Sequence, residues 1–457
     1  MSEDKRTIQD LQQLQALPLN LKVSLTKSRI RAWINEYGKD GVYVSFSGGK
    51  DSTVLLDIVR QDYPDVPAVF CNTGLEFPEI LQFVKTKENV IWLRPKMTFR
   101  QVVEKYGYPM FGKEIANTVG SARKYIAELR RRTSDDNSRL GGVLGDSRYV
   151  RCGTQDEGGC SSKKQHIEHF DKAAMILGAF GKIQNADGTY GEHTELYEQI
   201  KYGTIPEPIR TQILNGTFVN KDGTKSMYNK TKYKFMLNAP FDVTEDCCTV
   251  FKKSIAHGYQ KATGRQPMTA QMASESKLRT QQWLKNGCNA FDFNTPISNP
   301  MSFWTEQDVL LYIKEHNLPI ASVYGRVVNE SGEVEGQMSL GDLGLFELER
   351  PCLKTTGMNR TGCFACLFGY QREKPEDNRI NAIIKYSNPK IADYMLRGGE
   401  FRESDGLWHP HQGLGYWFLI EYCNKYGKMK MTYPNREYYV EKYSTPGTDK
   451  YLKGEET

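Results

Sequence analysis

The segment from Val42 to Thr53, VYVSFSGGKDST, constrains this chain more than any other. Its first three residues are typical of a buried strand, and a helical pattern begins with Ser52. Between them, the adjacent glycines Gly48 and Gly49 predict a sharp turn. The segment therefore predicts a strand, a tight turn and a helix in immediate succession.

A turn of this kind is suited to binding an anion, because a helix N-terminus offers free backbone N–H groups and the positive end of its dipole. Glycines let a phosphate approach the backbone closely. The spacing differs from GxxxxGK[ST], because the glycines are adjacent and a Lys-Asp pair follows them at once. The alternative is an ordinary glycine-rich turn. The expected phosphate-binding residues are Ser45, Ser47, Gly48, Gly49, Lys50, Asp51, Ser52 and Thr53.

SFSGGKDST resembles the PP-loop of the ATP-pyrophosphatase superfamily. That superfamily includes phosphoadenylyl-sulfate (PAPS) and adenylyl-sulfate (APS) reductases, ATP sulfurylase small subunits, and enzymes that thiolate tRNA or DNA. The resemblance implies that the chain binds ATP or an adenylyl sulfate on a doubly wound α/β sheet. The loop alone does not choose among these chemistries.

The composition of the 457 residues fits a globular protein of two to three domains, with 39% hydrophobic and 25% charged residues. The polar start and the lack of a long apolar run predict a cytoplasmic protein without a membrane segment. Ten cysteines in a reducing compartment favour metal binding or catalysis over disulfides. The net charge of +6 permits a nucleic-acid partner but does not require one.

The expected fold class is α/β, with a doubly wound, mostly parallel sheet, a large insert and a cysteine-rich C-terminal part. Strands and helices alternate after the PP-loop, which is typical of a parallel sheet covered by helices on both faces. Ligands in such sheets bind at the carboxyl ends of the strands. The expected divisions are a helical segment at 1–38, a nucleotide-binding domain at 39–109 and 246–370, an insert at 110–245, and a helical region at 371–457.

The predicted elements of the nucleotide-binding domain are short. Strands are expected at 42–46, 67–72 and 90–93, and helices at 53–61, 78–85, 98–106 and 304–316. The insert is rich in turn residues and carries an excess of Lys and Arg between Ser121 and Arg151. This excess indicates either a solvated surface or a docking surface for nucleic acid or protein. The oligomeric state stays open, with a homodimer among the options.

Two pairs of cysteines form a second candidate site, after the PP-loop. Cys247 and Cys248 are adjacent, and Cys363 and Cys366 form a CxxC motif. Four thiolates suit either a tetrahedral zinc ion or an iron–sulfur cluster. Two pairs of buried thiols are the alternative.

The order of these motifs resembles that of assimilatory adenylyl-sulfate reductases, whose CC and CxxC cysteines hold a [4Fe–4S] cluster beside the nucleotide. By this resemblance Cys247, Cys248, Cys363 and Cys366 are the cluster ligands. ASESKLR (273–279) resembles the family's nucleotide-contacting segment, which implies roles for Glu275, Ser276 and Arg279. NTGLEFPE (72–79) resembles DTGxxFPET, which implies that Thr73 and Gly74 contact the nucleotide, although Asn72 replaces the family's Asp.

A bound phosphosulfate or triphosphate needs cations beyond one lysine. Lys252, Lys253, Arg265 and Arg279 are the candidates, and Lys50 and Arg279 are the strongest. The expected catalytic residues are Lys50, Asp51 and Arg279. Asp51 either positions Mg²⁺ on ATP or acts as a helix N-terminal carboxylate.

The chain departs from the reductases in its last residues. The family supplies its nucleophile from a cysteine in a C-terminal ECGxH-like motif, and this chain's last cysteine, Cys423, has the apolar spacing of a buried thiol. Cys352 is the expected substitute, with a thiolate favoured by Arg350 and Lys354. Cys71 is expected in the core.

Three functions fit these observations. The first is activation of ATP or an adenylyl sulfate for sulfur transfer, and the second is reduction of an adenylyl sulfate to sulfite. The third is a non-catalytic nucleotide-binding subunit of a nucleic-acid-modifying or defence complex.

Overall fold

A computed structural model describes residues 6–134, 183–184, 190–191, 209–292, 295–330 and 352–454. The described strands are β1 (Val42–Ser45), β2 (Ala68–Cys71), β3 (Val90–Leu93), β4 (Met110–Phe111), β5 (Ile183–Gln184), β6 (Tyr190–Gly191), β7 (Gln266–Met268), β8 (Asn289–Ala290), β9 (Ile297–Ser298), β10 (Val327–Asn329), β11 (Leu353–Thr355), β12 (Leu367–Phe368), β13 (Glu400–Phe401) and β14 (Trp408–His409).

The described α-helices are α1 (Ile8–Ala16), α2 (Leu19–Tyr37), α3 (Lys50–Asp62), α4 (Pro78–Lys85), α5 (Phe99–Tyr106), α6 (Lys113–Ser134), α7 (Ile209–Asn215), α8 (Ser254–Thr263), α9 (Lys277–Asn286), α10 (Glu306–Glu315), α11 (Arg379–Tyr386), α12 (Pro389–Leu396), α13 (Tyr416–Gly427), α14 (Arg436–Tyr443) and α15 (Pro446–Leu452). A helical turn at Asp246–Cys248 continues through a π-helical turn, Thr249–Lys253, into α8. Among the described residues, no helix is both long and apolar enough to cross a membrane.

The central sheet has the order β3-β2-β1-β7-β9-β8. Its neighbours run parallel except at the β8–β9 edge, where the pairing is antiparallel. Val42, Tyr43 and Val44 are all buried, because helices cover both faces of a parallel sheet. The expected fold class, α/β with a mostly parallel sheet, is confirmed.

Contacts divide the chain into two compact units. The first comprises residues 1–102, 247–366 and 379–393, and the second comprises 103–246, 367–378 and 394–457. The sequence division differs from this, because it separates the insert from the C-terminal region, whereas parts of both lie in the second unit. Interaction with distant segments, rather than chain order, defines a compact unit.

The first unit contains the central sheet and the N-terminal helices. A capping box joins Thr7 and Asp10 at the start of α1, and Pro18 separates α1 from α2. The buried ammonium of Lys22 pairs with Asp308 of α10 at 2.6 Å, which fixes α2 against α10.

The second unit has a core rich in aromatic side chains around α13. Residues Tyr416 to Cys423 of this helix are all buried, and the indole N–H of Trp417 donates to the Gly398 carbonyl at 2.9 Å. Arg436 makes two hydrogen bonds to the Glu421 carboxylate, at 2.7 and 2.6 Å. This bidentate pair holds α14 against α13.

Candidate functional site

The PP-loop lies between β1 and α3, at the carboxyl edge of the central sheet. Gly48 has φ = +73°, and a Cβ there would lie 2.7 Å from methyl groups of Ile80 and Val84. Both the backbone conformation and the packing therefore require glycine at this position. Gly49 is the N-cap of α3. The predicted strand–turn–helix is present, with the helix beginning at Lys50 rather than Ser52.

The hydroxyl groups of the loop contact one another and the loop backbone. The hydroxyl oxygens of Ser47 and Ser52 lie 3.0 Å apart, and the Thr53 hydroxyl donates to the Gly49 carbonyl at 2.9 Å. The Gly49 N–H donates to the Ser47 hydroxyl at 3.3 Å. Ser47 is exposed, whereas Ser52 and Thr53 are buried. The inner hydroxyls therefore fix the loop, and Ser47 is the one that faces solvent.

Lys50 is buried and paired with groups distant in sequence. Its ammonium lies 2.9 Å from a carboxylate oxygen of Glu306 and donates to the Asn359 carbonyl at 3.0 Å. Burial opposes its charged form, but Asp51 and Glu306 outweigh that effect and raise the pKa of Lys50. Burial raises the pKa of Asp51, and the Lys50 charge opposes this. Lys50 is thus a fixed cation behind the loop.

A cavity of about 320 Å³ opens at the carboxyl ends of β1 and β2, and is called the charged pocket below. Its lining includes Ser45, Ser47, Cys71, Glu76, Lys252, Lys253, His257, Thr361 and Gly362. Two lysines against one glutamate give it a net positive charge, which suits an anionic group. The PP-loop, the end of β2 and the π-helical turn Thr249–Lys253 therefore all contribute to this pocket. It lies at the sheet edge where parallel sheets bind their ligands.

Thr73 and Gly74 shape a turn beside the charged pocket. The backbone N–H and the hydroxyl of Thr73 donate to the two carboxylate oxygens of Glu76, at 3.0 and 2.7 Å. The Gly74 N–H donates to the Asn72 side chain at 3.2 Å, so Asn72 fills a turn-forming role that Asp also fills. Thr73 therefore holds Glu76 in place, and Glu76 lines the pocket.

The segment ASESKLR starts α9. The Ser276 hydroxyl caps this helix by accepting from the Arg279 N–H, and the Arg279 guanidinium pairs with Glu275. Burial lowers the pKa of Arg279, and the neighbouring Arg360 adds to this effect. The charges of Arg360 and Asp51 are therefore both within electrostatic range of Arg279. The like charges of Arg279 and Arg360 favour an anion near them.

The four predicted ligand cysteines are neighbours. A hydrogen bond to Cys248 raises the pKa of Cys247, with burial and the proximity of Cys248, Cys366 and Cys363 adding to it. Burial also raises the pKa of Cys363, and a hydrogen bond from Lys252 opposes this.

The thiols fit a metal centre in kind, since four sulfur donors suit zinc or iron. Within the described part of the chain, however, no group of three or more His, Cys, Asp or Glu side chains has an arrangement that would hold a metal ion. The [4Fe–4S] assignment to these residues therefore stays a prediction.

Lys252 connects the cysteines with the charged pocket. Its ammonium hydrogen-bonds Cys363, and it also lines the pocket. Lys252 is exposed as a residue, but protein groups surround its ammonium. This partial desolvation opposes the charge, and Cys363, Glu76 and Cys248 together outweigh it and raise the pKa of Lys252. Lys252 is therefore charged at neutral pH and lies between the two predicted centres.

Three expectations about single residues were wrong. Cys71 lies at the end of β2 and lines the charged pocket, because a strand's last residue reaches the sheet edge. A hydrogen bond to Glu330 raises the pKa of exposed Cys352, which disfavours the expected thiolate, and Arg350 lies outside the described residues. Arg265 donates to the Asp40 carbonyl and the Tyr259 hydroxyl, and so braces the fold.

Several residues of the site were missed by sequence reasoning. Glu306 and Asn359 hold Lys50, Arg360 accompanies Arg279, and Glu76 and His257 line the pocket. Glu76 lies inside the quoted segment NTGLEFPE, and Arg360 lies just before the CxxC motif. Glu76 and Arg360 could therefore have been found from the sequence, because each lies in or next to a recognised motif.

Comparison with known proteins identifies the nucleotide-binding segment. Residues 41–134 match the phosphoadenosine phosphosulfate reductase domain. The likeness to the PAPS reductase domain family is therefore a property of this segment. The segment contains the PP-loop, β1 to β3 and the Thr73–Gly74 turn, and its residues Ser45, Ser47, Cys71 and Glu76 line the charged pocket.

Relatives of the PAPS reductase domain family align over short stretches. Adenosine 5′-phosphosulfate reductase of Geobacillus kaustophilus is 32% identical over 104 residues, 21% of this chain and 43% of that protein. Phosphoadenosine 5′-phosphosulfate reductase of Xylella fastidiosa is 33% identical over 76 residues, 17% of this chain and 32% of that protein. The chain thus spans less than half the length of each.

Among solved structures, a phosphoadenylyl-sulfate (PAPS) reductase from Candida auris, in complex with phosphate, aligns over 72% of this chain and 98% of its own. The alignment has 11% sequence identity and a TM-score of 0.29. The likeness to the family lies in residues 41–134, and this alignment adds nothing to it.

Proposed function

We propose that this protein is an enzyme that binds an adenine nucleotide, ATP or an adenylyl sulfate, in the charged pocket and uses it for sulfur transfer. The observation that carries the proposal is Lys252, which lines the pocket and hydrogen-bonds Cys363. A charged group in that position neutralises a bound phosphate or sulfate and connects it electrostatically with the cysteines.

Each part of the site has a role in this proposal. The Ser47–Thr53 loop binds the 5′ phosphate through the N-terminal end of α3. Lys252, Lys253 and the Arg279–Arg360 pair bind the remaining negative charge. As pyrophosphate or sulfite leaves, charge grows on the departing group, and these fixed cations stabilise it without reorganising. Asp51, beside Lys50 at the start of α3, is the residue placed to orient Mg²⁺ if ATP is the substrate.

The cluster is a second part of the proposal. Cys247, Cys248, Cys363 and Cys366 would hold a [4Fe–4S] cluster, with zinc as the alternative. When bound, such a cluster supplies a compact, redox-active charge next to Lys252. Anaerobically purified protein is expected to contain about four iron and four sulfide per chain and to absorb near 400 nm. If the purified protein contained zinc and no sulfide, the iron–sulfur part of the proposal would be contradicted and the nucleotide-binding part would not.

Reduction of an adenylyl sulfate is a second candidate, and the position of Cys71 favours it. Cys71 is the cysteine that lines the charged pocket among the described residues. Burial raises the pKa of its thiol, while the Lys252 charge opposes that shift. Sulfite release from adenylyl sulfate with a thiol reductant, lost in Cys71→Ser, would establish this function. If the protein bound the nucleotide tightly but released no sulfite, reduction would be excluded and sulfur transfer would stand as the proposed function.

The test of nucleotide binding is calorimetry on Lys252→Ala. The affinity for adenylyl sulfate is expected to fall about ten- to a hundredfold, the size of one charge-assisted contact of about 1.5–3 kcal/mol. Lys261→Ala is the matched control, because Lys261 is exposed on α8, the helix that follows Lys252. Equal affinities in the two variants would overturn the proposal.

A further inference from the structure

A second cavity, of about 180 Å³, adjoins the charged pocket and shares Gln271 and Ile297 with it. It is called the amide pocket here, because the side-chain amides of Gln271, Gln282, Asn286 and Asn299 line it. Arg279 is its charged lining residue, and no carboxylate is among the described residues that line it. Its volume suits one ring rather than a whole cofactor, since cofactor sites are typically about 300 Å³ or larger.

Trp283 supplies a buried aromatic ring to the lining of the amide pocket. The residue is 4% exposed and lines the cavity, and its indole N–H has no acceptor within the described part of the chain. A buried donor without an acceptor costs about 1–3 kcal/mol. Side-chain amides around an indole match the edges and the face of a nucleobase, which Asn and Gln recognise through paired hydrogen bonds.

The amide pocket also continues into a long groove. This groove, about 1160 Å³, shares Trp283, Asn286, Gly287 and Ala290 with the amide pocket. Its lining is apolar and cationic, with Leu14, Leu25 and Phe291 beside the charged residues Arg6, Arg29 and Lys285. Asp292 is the acidic residue among those that line it. The groove thus has the positive, partly aromatic surface that single-stranded nucleic acids bind.

We infer that the groove binds a single-stranded nucleic acid and that the amide pocket accepts one of its bases, next to the nucleotide. Enzymes that modify a base must take it out of the stack and hold it in a small pocket. The three cavities share lining residues in order, so the base would enter beside Arg279, at the edge of the charged pocket. This rests on the proposed function for the nucleotide and names the class of its acceptor.

The experiment is fluorescence anisotropy with a labelled single-stranded oligonucleotide of about 20 nucleotides, as DNA and as RNA, at two salt concentrations. The double variant Arg29→Glu, Lys285→Glu is expected to bind at least tenfold more weakly and to lower the salt slope by about 2. Arg31→Glu is the matched control, because Arg31 is an exposed residue of the same helix, α2, outside the groove lining. It is expected to change affinity by less than about threefold.

The base is tested by Trp283→Phe, which keeps a ring and removes the N–H, and by Gln282→Ala at an exposed position. Each is expected to weaken oligonucleotide binding by about three- to tenfold. Trp33→Phe is the control for the indole change, because Trp33 is also buried, also lacks an acceptor among the described residues, and lines neither the amide pocket nor the groove. Adenylyl-sulfate affinity, measured in parallel, is expected to stay unchanged in all these variants.

No oligonucleotide binding by the unaltered protein would overturn the inference, as would equal losses in Arg31→Glu and the double variant. An acidic peptide that bound as tightly, with the same loss in Trp283→Phe, would assign the cavities to a protein acceptor instead and overturn it. If the unaltered protein did not bind adenylyl sulfate, the proposed function would be contradicted. The oligonucleotide experiment does not test that function, so the two failures can be told apart.

Discussion

The charged pocket and the amide pocket adjoin along the carboxyl edge of one sheet and share two lining residues, yet their chemistry differs. The charged pocket is lined by two cations, Lys252 and Lys253, and by the opposing carboxylate of Glu76. The amide pocket has neutral donors and acceptors around Trp283, with Arg279 as its one lining cation among the described residues. Fixed charges favour an anion whatever its shape, whereas amides favour a neutral group whose edges match them.

This difference implies a division of labour. The charged pocket is suited to the negatively charged end of the nucleotide. The amide pocket is suited to an uncharged group of the acceptor. Arg279 lies near both, because it lines the amide pocket and feels the charges of Asp51 and Arg360. Variants of lining residues other than Arg279 should therefore affect one class of ligand and leave the other unchanged.

The largest effect is expected from Gly48→Ala, which attacks the charged pocket through its loop. The positive φ costs about 1–2 kcal/mol, and the contacts with Ile80 and Val84 cost about 1–3 kcal/mol more. Displacing the loop should also reduce adenylyl-sulfate affinity roughly a hundredfold. Gly74→Ala is the control: its φ is +77°, but a Cβ there would meet no atom within 4 Å. Thermal unfolding and calorimetry measure both effects.

A Gly48→Ala protein that bound nucleotide normally would show that the loop does not form the anion site. The amide-pocket ligand should still bind to any folded fraction, so oligonucleotide affinity separates a local effect from unfolding.

Lys50 should have the next largest effect. Lys50→Ala is expected to weaken nucleotide binding about ten- to a hundredfold, the size of a charge-assisted contact. Glu306→Gln, which removes the charge that pairs with Lys50 at 2.9 Å, should change affinity less, by about three- to tenfold, because it leaves the cation in place. Calorimetry with adenylyl sulfate and with ATP measures both. Equal affinity in Lys50→Ala and the unaltered protein would remove Lys50 from the binding site.

The reactivity of Cys71 should show a smaller effect with a defined pH dependence. Burial raises its pKa, so less thiolate is present at neutral pH and alkylation should be slower than for a free thiol. The rate should rise as pH increases towards the raised pKa. Iodoacetamide labelling read by peptide mass spectrometry measures this. AMP should protect Cys71, which lines the pocket, and leave exposed Cys352 unprotected. Protection at both sites, or at neither, would contradict the position given to the nucleotide.

Local sequence patterns predicted the backbone structure of the PP-loop well. The strand, turn and helix around Gly48 follow from side-chain size and periodicity, and the predicted bounds 78–85 and 90–93 agree with α4 and β3. Glycine at Gly48 is required by its positive φ, which is a property of the residue itself. The local sequence of such a motif is enough to determine its backbone conformation.

The rest depended on contacts that sequence does not show. Glu306 and Asn359 reach Lys50 from positions far along the chain, and no local pattern marks them as partners. Cys71 was expected in the core because a buried strand precedes it, but the strand ends there and its last side chain meets the cavity. Arg265 was expected at the ligand, but a backbone carbonyl, that of Asp40, accepts its hydrogen bond.

The amide pocket was not predicted at all. Its amides come from the residues after β7 and β9 and from α9, and Asn and Gln at such positions are usually solvated. Only the convergence of several elements shows that they face one cavity. A charged pocket is therefore easier to predict than a neutral one, because its residues belong to motifs.

The most direct test of the central claim is a charge series of ligands on the unaltered protein. Calorimetric affinities for adenosine, AMP and adenylyl sulfate are compared at low and at high salt. The account predicts that affinity rises with negative charge at the 5′ end, with adenylyl sulfate bound at least tenfold more tightly than adenosine, and that salt reduces this advantage. Equal affinity for adenosine and adenylyl sulfate at both salt concentrations would contradict it.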